Sequence, residues 1–400
     1  MEFADFILQH QADDPARLAL DRARYAGEVE DFALALTTLE VRRKLRTKVP
    51  EWYAQPGLQY PLRLSGEQCS SSATARYKAE VAFAACTPAA RVPRLADLTG
   101  GLGVDSWAFS RRFGQVLYSE MQPELVAAAR HNFALLGAGT ITVREGLLQS
   151  GNLSAIVGDF RPDILFLDPA RRASDGRKVF RLEDCQPDVP ALREELLSSC
   201  PRVLLKLSPM ADISLVCKQL QNVAQVHVVA AEGECKELLL LLEKDHTGPY
   251  SLTLFEDGHT VCLTEASEDP EKYTSPFGAE NRFLFEPGKA LLKAGAFGWP
   301  CRFGLEPLGR HTHLYVGEGV PEALQPFGKT FRVLEVLPLD KRSLKDIGAR
   351  YPQASVTARN LPLTSEELRK KLGVKDGGTV HIFGAHVDAA LANFLFVVSA

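Results

Sequence analysis

The stretch that decides the fold runs from Gln225 to Lys244 and reads QVHVVAAEGECKELLLLLEK. Two apolar runs, VHVVAAE and ELLLLLEK, are separated only by the four residues GECK at 233–236. A connection that short must be a hairpin, because a parallel crossover needs a dozen or more residues. The sequence therefore predicts that the final strand of this region runs antiparallel to the rest.

Toward the amino terminus, from Val92 onward, short apolar runs alternate with helical stretches. In chain order they read RLADL, VDSWAFSRRF, VLYSE, PELVAAARHNFALLG, ITVRE, DILFLD, ALREELLSSC, VLLKLS and ADISLVCKQLQ. This alternation indicates a parallel sheet with helices on both faces. Dinucleotide dehydrogenase domains close with parallel strands, whereas a seven-stranded sheet whose last strand turns back is the methyltransferase arrangement. We therefore predict an α/β, Rossmann-like fold of the methyltransferase type.

The rest of the chain divides by composition. Residues 1–69 carry apolar side chains at helical spacing, and residues 245–325 are acidic, rich in Gly and Pro, with short candidate strands. We predict an N-terminal helical region (1–69), a methyltransferase domain (70–244), a small β-containing connecting domain (245–325) and a final α+β unit (326–400). A ferredoxin-like fold is one candidate for the connecting domain.

Composition limits the classes of protein to which the chain can belong. Of its 400 residues 46% are hydrophobic and 24% charged, which are ordinary globular values, and the net charge of -4 requires any nucleic-acid partner to meet a local basic patch. The eight cysteines stand singly, without a CxxC pair or zinc-ligand spacing, which favours reduced thiols and no metal site. We find neither a signal-peptide pattern nor an apolar run long enough for a bilayer, so we predict a cytoplasmic protein without a membrane partner.

The strongest chemical signal is RLADLTGGLGVDSWAFS at 94–110, in which a strand, a glycine-rich turn and a helix follow one another. Glycines in such a turn let the backbone approach a ligand closely. The stretch does not match G-x-G-x-x-G, because Ser106 occupies the place of the third glycine. Asp97, directly before the turn, would repel a pyrophosphate. It suits the positive sulfonium and ammonium groups of S-adenosylmethionine.

Two further acidic residues follow the next strands. VLYSEMQP places Glu120 at the carboxyl end of a strand, where its carboxylate can accept both hydroxyls of a ribose. Dinucleotide enzymes use the same device, so this residue indicates a ribose without naming the cofactor. In ITVREGLLQ, Glu145 is the candidate for the adenine amino group, offset by one from the usual Gly-acid order.

The stretch DILFLDPARR carries Asp168 and Pro169 to the carboxyl edge of the sheet. It resembles the Asp-Pro-Pro-Tyr and Asp-Pro-Pro-Arg motifs of base-modifying methyltransferases, in which the turn holds the target amino group or ring against the methyl donor. Leu167 stands where the amino-methylating version has Asn or Ser. Arg171 and Arg172 follow and suit a phosphate or a carboxylate.

The next strand argues against a covalent mechanism. Enzymes that methylate carbon 5 of pyrimidines use a cysteine after this strand, whereas VLLKLSPMADI has Leu207 at that position. Cys185 and Cys200 lie off the expected turn. Lys206 is left as a candidate residue of the active-site wall, with a structural role as the alternative.

The chain resembles a bacterial family of class I S-adenosylmethionine-dependent methyltransferases that end in a THUMP-like domain. The resemblance rests on the motifs above, on QCSSSATARYKAE (68–80) and on TARNLPLTSEELRKKLGVKDGG (357–378). It implies S-adenosyl-L-methionine as cofactor and RNA, mostly transfer RNA, as partner. The candidate cofactor-binding residues are Thr74, Lys78, Asp97, Thr99, Gly100, Gly101, Gly103, Asp105, Glu120 and Glu145. The candidate catalytic residues are Asp168, Pro169, Arg171 and Lys206.

The C-terminal unit is locally basic. Between Pro326 and Gly378 there are eleven Lys/Arg and six Asp/Glu, an excess of five positive charges. Such an excess can form a phosphate-facing surface, although a solvated helix face has the same composition. The side chains concerned are Lys341, Arg342, Lys345, Arg350, Arg359, Arg369, Lys370, Lys371 and Lys375.

The sequence favours methylation of RNA, at a tRNA or rRNA base, by direct non-covalent transfer from the sulfonium. Two alternatives stay open: a protein or small-molecule methyltransferase, and a non-catalytic RNA-binding protein on a methyltransferase fold.

Overall fold

The structure is a computed structural model. It describes residues 1–25, 27–86, 91–171, 182–263, 270, 272–275, 278 and 282–399, and of Arg171 only the backbone. The chain packs into two compact units: the first comprises Met1–Val226 with Leu238–Tyr250, and the second His227–Glu237 with Ser251–Ala400. The division into four regions stays a prediction of the sequence. Within the described ranges, no helix combines the length and apolarity needed to cross a membrane.

The first unit begins with short helices around one long helix, α4. Asp31 caps α4 by accepting a hydrogen bond from the backbone of Leu34, and Thr38, Val41 and Leu45 follow one another along its buried face. The helices are α1 (Phe3–Gln9), α2 (Pro15–Leu20), α3 (Arg22–Tyr25), α4 (Phe32–Lys48), α5 (Pro50–Tyr53), α6 (Arg63–Gln68) and α7 (Ser72–Ala85).

A mostly parallel sheet forms the rest of the first unit. Its strand order is β3-β2-β1-β4-β7-β9-β8; β1, β2, β3, β4 and β7 are parallel, and β9 is antiparallel to β7. The predicted Rossmann-like methyltransferase fold with its reversed last strand is confirmed. The strands are β1 (Arg94–Asp97), β2 (Gln115–Glu120), β3 (Ile141–Glu145), β4 (Ile164–Leu167), β5 (Ala170–Arg171), β6 (Cys185–Gln186), β7 (Arg202–Leu207), β8 (Val223–Ala231) and β9 (Glu234–Glu243). The helices are α8 (Val104–Phe109), α9 (Pro123–Leu135), α10 (Leu153–Val157), α11 (Val189–Ser199) and α12 (Ile213–Leu220).

The β8–β9 hairpin is tighter than its sequence indicates. Glu232 and Gly233 alone form the turn, with φ of 55° and 73°, as in the two-residue turns that match the twist of a hairpin. Two strands of the second unit, β10 (Ser251–Glu256) and β11 (His259–Leu263), pair antiparallel with each other.

The second unit contains a separate sheet of order β13-β14-β12-β15-β18-β17-β16. Ile347, Leu368 and Leu372 from two helices pack on one face, against Ile382 and Leu395 of the central strands. The strands are β12 (Phe283–Pro287), β13 (Glu306–Pro307), β14 (Tyr315–Gly317), β15 (Gly328–Pro338), β16 (Ser355–Arg359), β17 (Val380–Val387) and β18 (Ala392–Ser399). The helices are α13 (Lys289–Ala294), α14 (Lys341–Arg350) and α15 (Ser365–Leu372).

Candidate functional site

The glycine turn between β1 and α8 has the small residues that its geometry requires. Gly101 and Gly103 have φ of 54° and 93°, in the left-handed region that disfavours other residues. A Cβ at Gly100 would lie 2.2 Å from the Tyr118 ring, which packs against the turn and donates a hydrogen bond of 2.6 Å to the Gly101 carbonyl. The turn therefore presents bare backbone at the edge of the sheet, where a ligand can approach closely.

Asp97, at the end of β1, is a carboxylate in a buried place, only 1% exposed. It accepts hydrogen bonds from the Ser106 hydroxyl at 2.6 Å and from the Thr99 amide at 3.1 Å. Burial raises the pKa of Asp97 to about 8, and the neighbouring carboxylates of Asp105 and Asp168 act in the same direction. A cation placed beside Asp97 would lower its pKa again, so the surroundings of this carboxyl suit a positively charged ligand.

Glu120, at the end of β2, binds the glycine turn directly. Its Oε2 accepts a hydrogen bond from the Gly101 amide at 2.8 Å, and its Oε1 accepts from the amides of Met121 and Gln122 at 2.9 and 3.0 Å. Glu145 lies opposite Glu120 in the β2–β3 register and is exposed. Both carboxylates thus lie at the edge of the sheet that carries the turn.

A buried ion pair supports the helix that follows the turn. Lys78 is fully buried and donates to the Ser70 hydroxyl at 2.9 Å, while Ser70 donates to Asp105 Oδ2 at 2.8 Å. The Lys78 Nζ also lies 3.3 Å from Asp105 Oδ1. Thr74, one turn earlier on α7, forms a capping box with Ser71. Ser70 was not among the residues predicted from the sequence, although it lies within the QCSSS stretch that supports the family resemblance.

The residues predicted to face the acceptor lie at the ends of β4 and β7. The Asp168 amide donates to the Thr99 hydroxyl at 2.6 Å, and the Asp168 carboxylate pairs with Lys206. Pro169 is buried, and the side chain of Arg171, like all of Arg172, lies outside the described residues. Thr99 therefore connects the glycine turn to the Asp168 turn through two hydrogen bonds.

Two cysteines bear on the covalent alternative. All eight cysteines are free; Cys200 is buried, and burial raises its pKa to about 11. Cys185 belongs to the short strand β6 and pairs with Arg171 of β5, close to the Asp168 turn. In the part of the chain that the structure describes, no group of three or more His, Cys, Asp or Glu residues could hold a metal ion.

Comparisons with known proteins agree with this geometry. Residues 328–399 match a family model described as THUMP domain-like, and residues 283–323 match one described as a ferredoxin-like domain. A crystal structure assigned as a methyltransferase, from Porphyromonas gingivalis W83, is 31% identical, with a TM-score of 0.84 over 99% of this chain and 97% of that one. Two Mycobacterium tuberculosis proteins, from strains H37Rv and CDC 1551, are named uncharacterized S-adenosylmethionine-dependent methyltransferases; each is 26% identical over 287 residues, 70% of this chain and 73% of the relative.

The chain belongs to this methyltransferase family. Its cofactor is S-adenosylmethionine, and the residues present suit that molecule. The bare glycine turn leaves room for the ligand, and the buried Asp97 favours a cation. Within the same neighbourhood, the Lys78 ammonium compensates Asp105. Once ionised, Asp97 complements a cofactor that carries a sulfonium.

Proposed function

We propose that this enzyme methylates a base of transfer or ribosomal RNA by direct transfer, without a covalent enzyme intermediate. One observation carries the proposal: Thr99 joins the Asp168–Lys206 pair to the glycine turn. A carboxylate at this position can hold an acceptor beside the methyl donor, and Leu207 occupies the place where a covalent mechanism would need its cysteine.

We assign the cofactor contacts to the first half of the site. Asp97 would face the positive groups of the cofactor, and Glu120 would accept the ribose hydroxyls while holding the Gly101 amide. Glu145 would reach the adenine amino group from the neighbouring strand. Thr74 and Lys78 would act from α7, where Lys78 keeps Asp105 in place at the first turn of α8.

Asp168 would receive the acceptor. When bound, S-adenosylmethionine would supply a methyl group on a positive sulfur: the acceptor lone pair would bond to the methyl carbon as the carbon–sulfur bond breaks, and the sulfur would leave as a neutral thioether. The Asp168 carboxylate would accept a hydrogen bond from the acceptor N–H and so aim the nitrogen lone pair at the methyl group. As the new C–N bond forms, the nitrogen gives up its proton to Asp168 or to water. Lys206 would hold the Asp168 carboxylate in place, and Pro169 would fix the turn.

Support for RNA as substrate comes from the second unit. In addition to the THUMP domain-like match, five cations of the basic stretch lie outside ion-pair distance of any carboxylate among the described residues: Lys341, Arg342, Lys345, Lys371 and Lys375. Four further cations of the stretch pair with carboxylates: Arg350 with Glu335 and Asp346, Arg359 with Glu286, Arg369 with Asp376, and Lys370 with Glu366. The five cations without a carboxylate partner provide charge for phosphate groups.

Mass spectrometry of modified nucleosides tests the proposal most directly. RNA from a strain that lacks the gene should lose one methylated nucleoside, and the purified protein should restore it in vitro. Unchanged nucleosides in both transfer and ribosomal RNA would contradict the RNA assignment. We place the activity in the cytoplasm, because eight free thiols suit a reducing compartment.

A further inference from the structure

Arg42 of α4 is a buried cation without a counter-ion. It is only 3% exposed, and its Nη1 and Nη2 donate to the carbonyls of Gln55 and Tyr53 at 2.9 and 2.8 Å. The Tyr53 ring lies 4.7 Å from the guanidinium carbon, and burial lowers the pKa of Arg42. Across the described ranges no carboxylate lies within ion-pair distance of this guanidinium. Carbonyls satisfy two of its N–H groups but leave its charge uncompensated.

Four buried hydrogen-bond donors around Arg42 have no partner within the described part of the chain. They are Arg42 Nε, Trp52 Nε1, Tyr60 Oη and Trp107 Nε1. The Trp52 ring stacks on Tyr60 with centroids 6.3 Å apart and meets Trp107 edge-on at 6.2 Å. Burial raises the pKa of Tyr60, and the Arg42 charge opposes that rise, so the hydroxyl lies in the field of the guanidinium. We call these four residues the arginine–aromatic cluster.

Burial of one charge and four unpaired donors together is costly unless something accepts from them. Water could accept hydrogen bonds here but would leave the charge of Arg42 without a counter-ion. An anion with oxygen acceptors meets both needs at once. We propose that the arginine–aromatic cluster binds a small oxyanion, of the carboxylate or phosphate class.

Trp107 joins the cluster to α8, the helix that follows the glycine turn. Asp105 of the same helix takes part in the buried network with Ser70 and Lys78. An oxyanion held by Trp107 and Arg42 would therefore tie α4 to the helix that follows the glycine turn. Its source is either a dissolved anion or the carboxylate of the methionine part of S-adenosylmethionine. Neither case requires the RNA assignment, so the two proposals can fail separately.

Thermal unfolding of the full chain tests the site. Phosphate or acetate at about ten times its Kd should raise the Tm of the wild type by roughly 2–4 °C above sodium chloride at matched ionic strength. Tyr60→Phe removes one oxygen and should abolish most of this rise. Tyr315→Phe is the matched control, because Tyr315 is also buried but its hydroxyl donates to the Phe297 carbonyl. Tyr315→Phe should keep the rise in Tm with phosphate or acetate. It also corrects for general effects of salt on stability.

Calorimetry separates the two sources. If the cofactor carboxylate occupies the cluster, Tyr60→Phe should weaken S-adenosylmethionine about tenfold and leave methylthioadenosine, which has no carboxylate, unchanged. If a dissolved anion occupies it, only the phosphate or acetate response should change. Equal responses of wild type and Tyr60→Phe to phosphate, acetate and S-adenosylmethionine would overturn the proposal. Should Tyr60→Phe fail to fold, Trp107→Phe, at a half-buried ring, provides the same comparison.

Discussion

The two units use charge in opposite ways. In the first, Lys78 and Asp105 form a buried pair bridged by Ser70, and Lys206 pairs with Asp168 at the ends of two strands. In the second, pairs such as Lys370 with Glu366 lie in solvent. Removing one partner of a buried pair costs several kcal/mol, whereas an exposed pair contributes at most about 1 kcal/mol and is screened by salt. We infer that the buried ion pairs of the first unit fix the positions of particular side chains. The exposed cations of the second unit act together, so that their number matters more than any single one.

If ion pairs fix the geometry of the first unit, substitution of Asp168 should have the largest effect on methyl transfer. Asp168→Ala should lower methyl transfer by about 10³-fold or more, because it removes the group that orients the acceptor and accepts its proton. Cofactor affinity should stay nearly intact, since the proposed contact is with the acceptor. Transfer of labelled methyl groups to total transfer RNA, together with calorimetric binding of cofactor, measures both quantities.

Cysteine variants provide the control for that experiment. Cys185→Ser and Cys200→Ser should keep wild-type transfer, because Leu207 stands where a covalent mechanism would need its cysteine and Cys200 is buried with a raised pKa. A trapped cysteine–RNA adduct would contradict the direct mechanism and with it the role given to Asp168.

Substitutions in the cofactor half of the site should have smaller effects, and these should appear in cofactor affinity. Asp97→Ala and Glu120→Ala should each weaken S-adenosylmethionine by roughly 1–3 kcal/mol, since each leaves bonded partners without an acceptor. Glu124→Ala, an exposed residue in the first turn of α9, is the matched control and should change nothing. Calorimetry with NAD should give no binding. Tight NAD binding without S-adenosylmethionine binding would contradict the role given to Asp97.

The pKa of Asp97 predicts how cofactor affinity depends on pH. Burial raises this pKa to about 8, so below pH 8 the carboxyl of the free protein is protonated and must ionise to meet a cation. Affinity should therefore rise about tenfold between pH 6 and 7 and about fivefold between pH 7 and 8, and binding at pH 7 should release about 0.9 proton. Calorimetry in two buffers of different ionisation enthalpy measures that proton. Asp97→Asn should bind more weakly and release none; proton release equal to the wild type would show that another group titrates.

The sequence predicted the elements that follow from local patterns. Alternation of strands and helices and the short connection after Ala231 predict the sheet and its reversed last strand. The strands β10 and β11 were visible as SLTLFE and TVCLTE, but nothing in their composition names a pairing partner. Pairing depends on where the chain returns in space, and local periodicity does not contain that information.

The same limit applies within the site. Asp97, Glu120 and Asp168 stand at strand ends, so their approach to one edge can be predicted. The contacts of Lys78 with Ser70 and Asp105 join α7 to α8 and could not be predicted. Arg42 is a different case: the run VRRKLRTK looks solvated, yet Thr38, Val41 and Leu45 show that Arg42 shares the apolar face of α4. Helical periodicity places Arg42 on that face, although Arg42 was not among the residues predicted from the sequence.

The smallest effects of single substitutions are expected for the exposed Lys and Arg side chains between Pro326 and Gly378. Their substitution tests whether the cations of the second unit act together on RNA binding. Lys341→Glu and Lys345→Glu together should weaken binding of total transfer RNA several-fold at about 150 mM salt without altering cofactor affinity. Each phosphate that is no longer neutralised should also reduce the slope of log affinity against log salt by about 1, because less counterion is released.

Lys272→Glu, an exposed change of the same sign outside the basic stretch, is the matched control and should have little effect. Anisotropy titrations at two salt concentrations measure both quantities. Binding that is absent, insensitive to salt, or reduced equally by Lys272→Glu would remove the reason for calling RNA the substrate, because a specific phosphate surface depends on which cations it contains as well as on net charge.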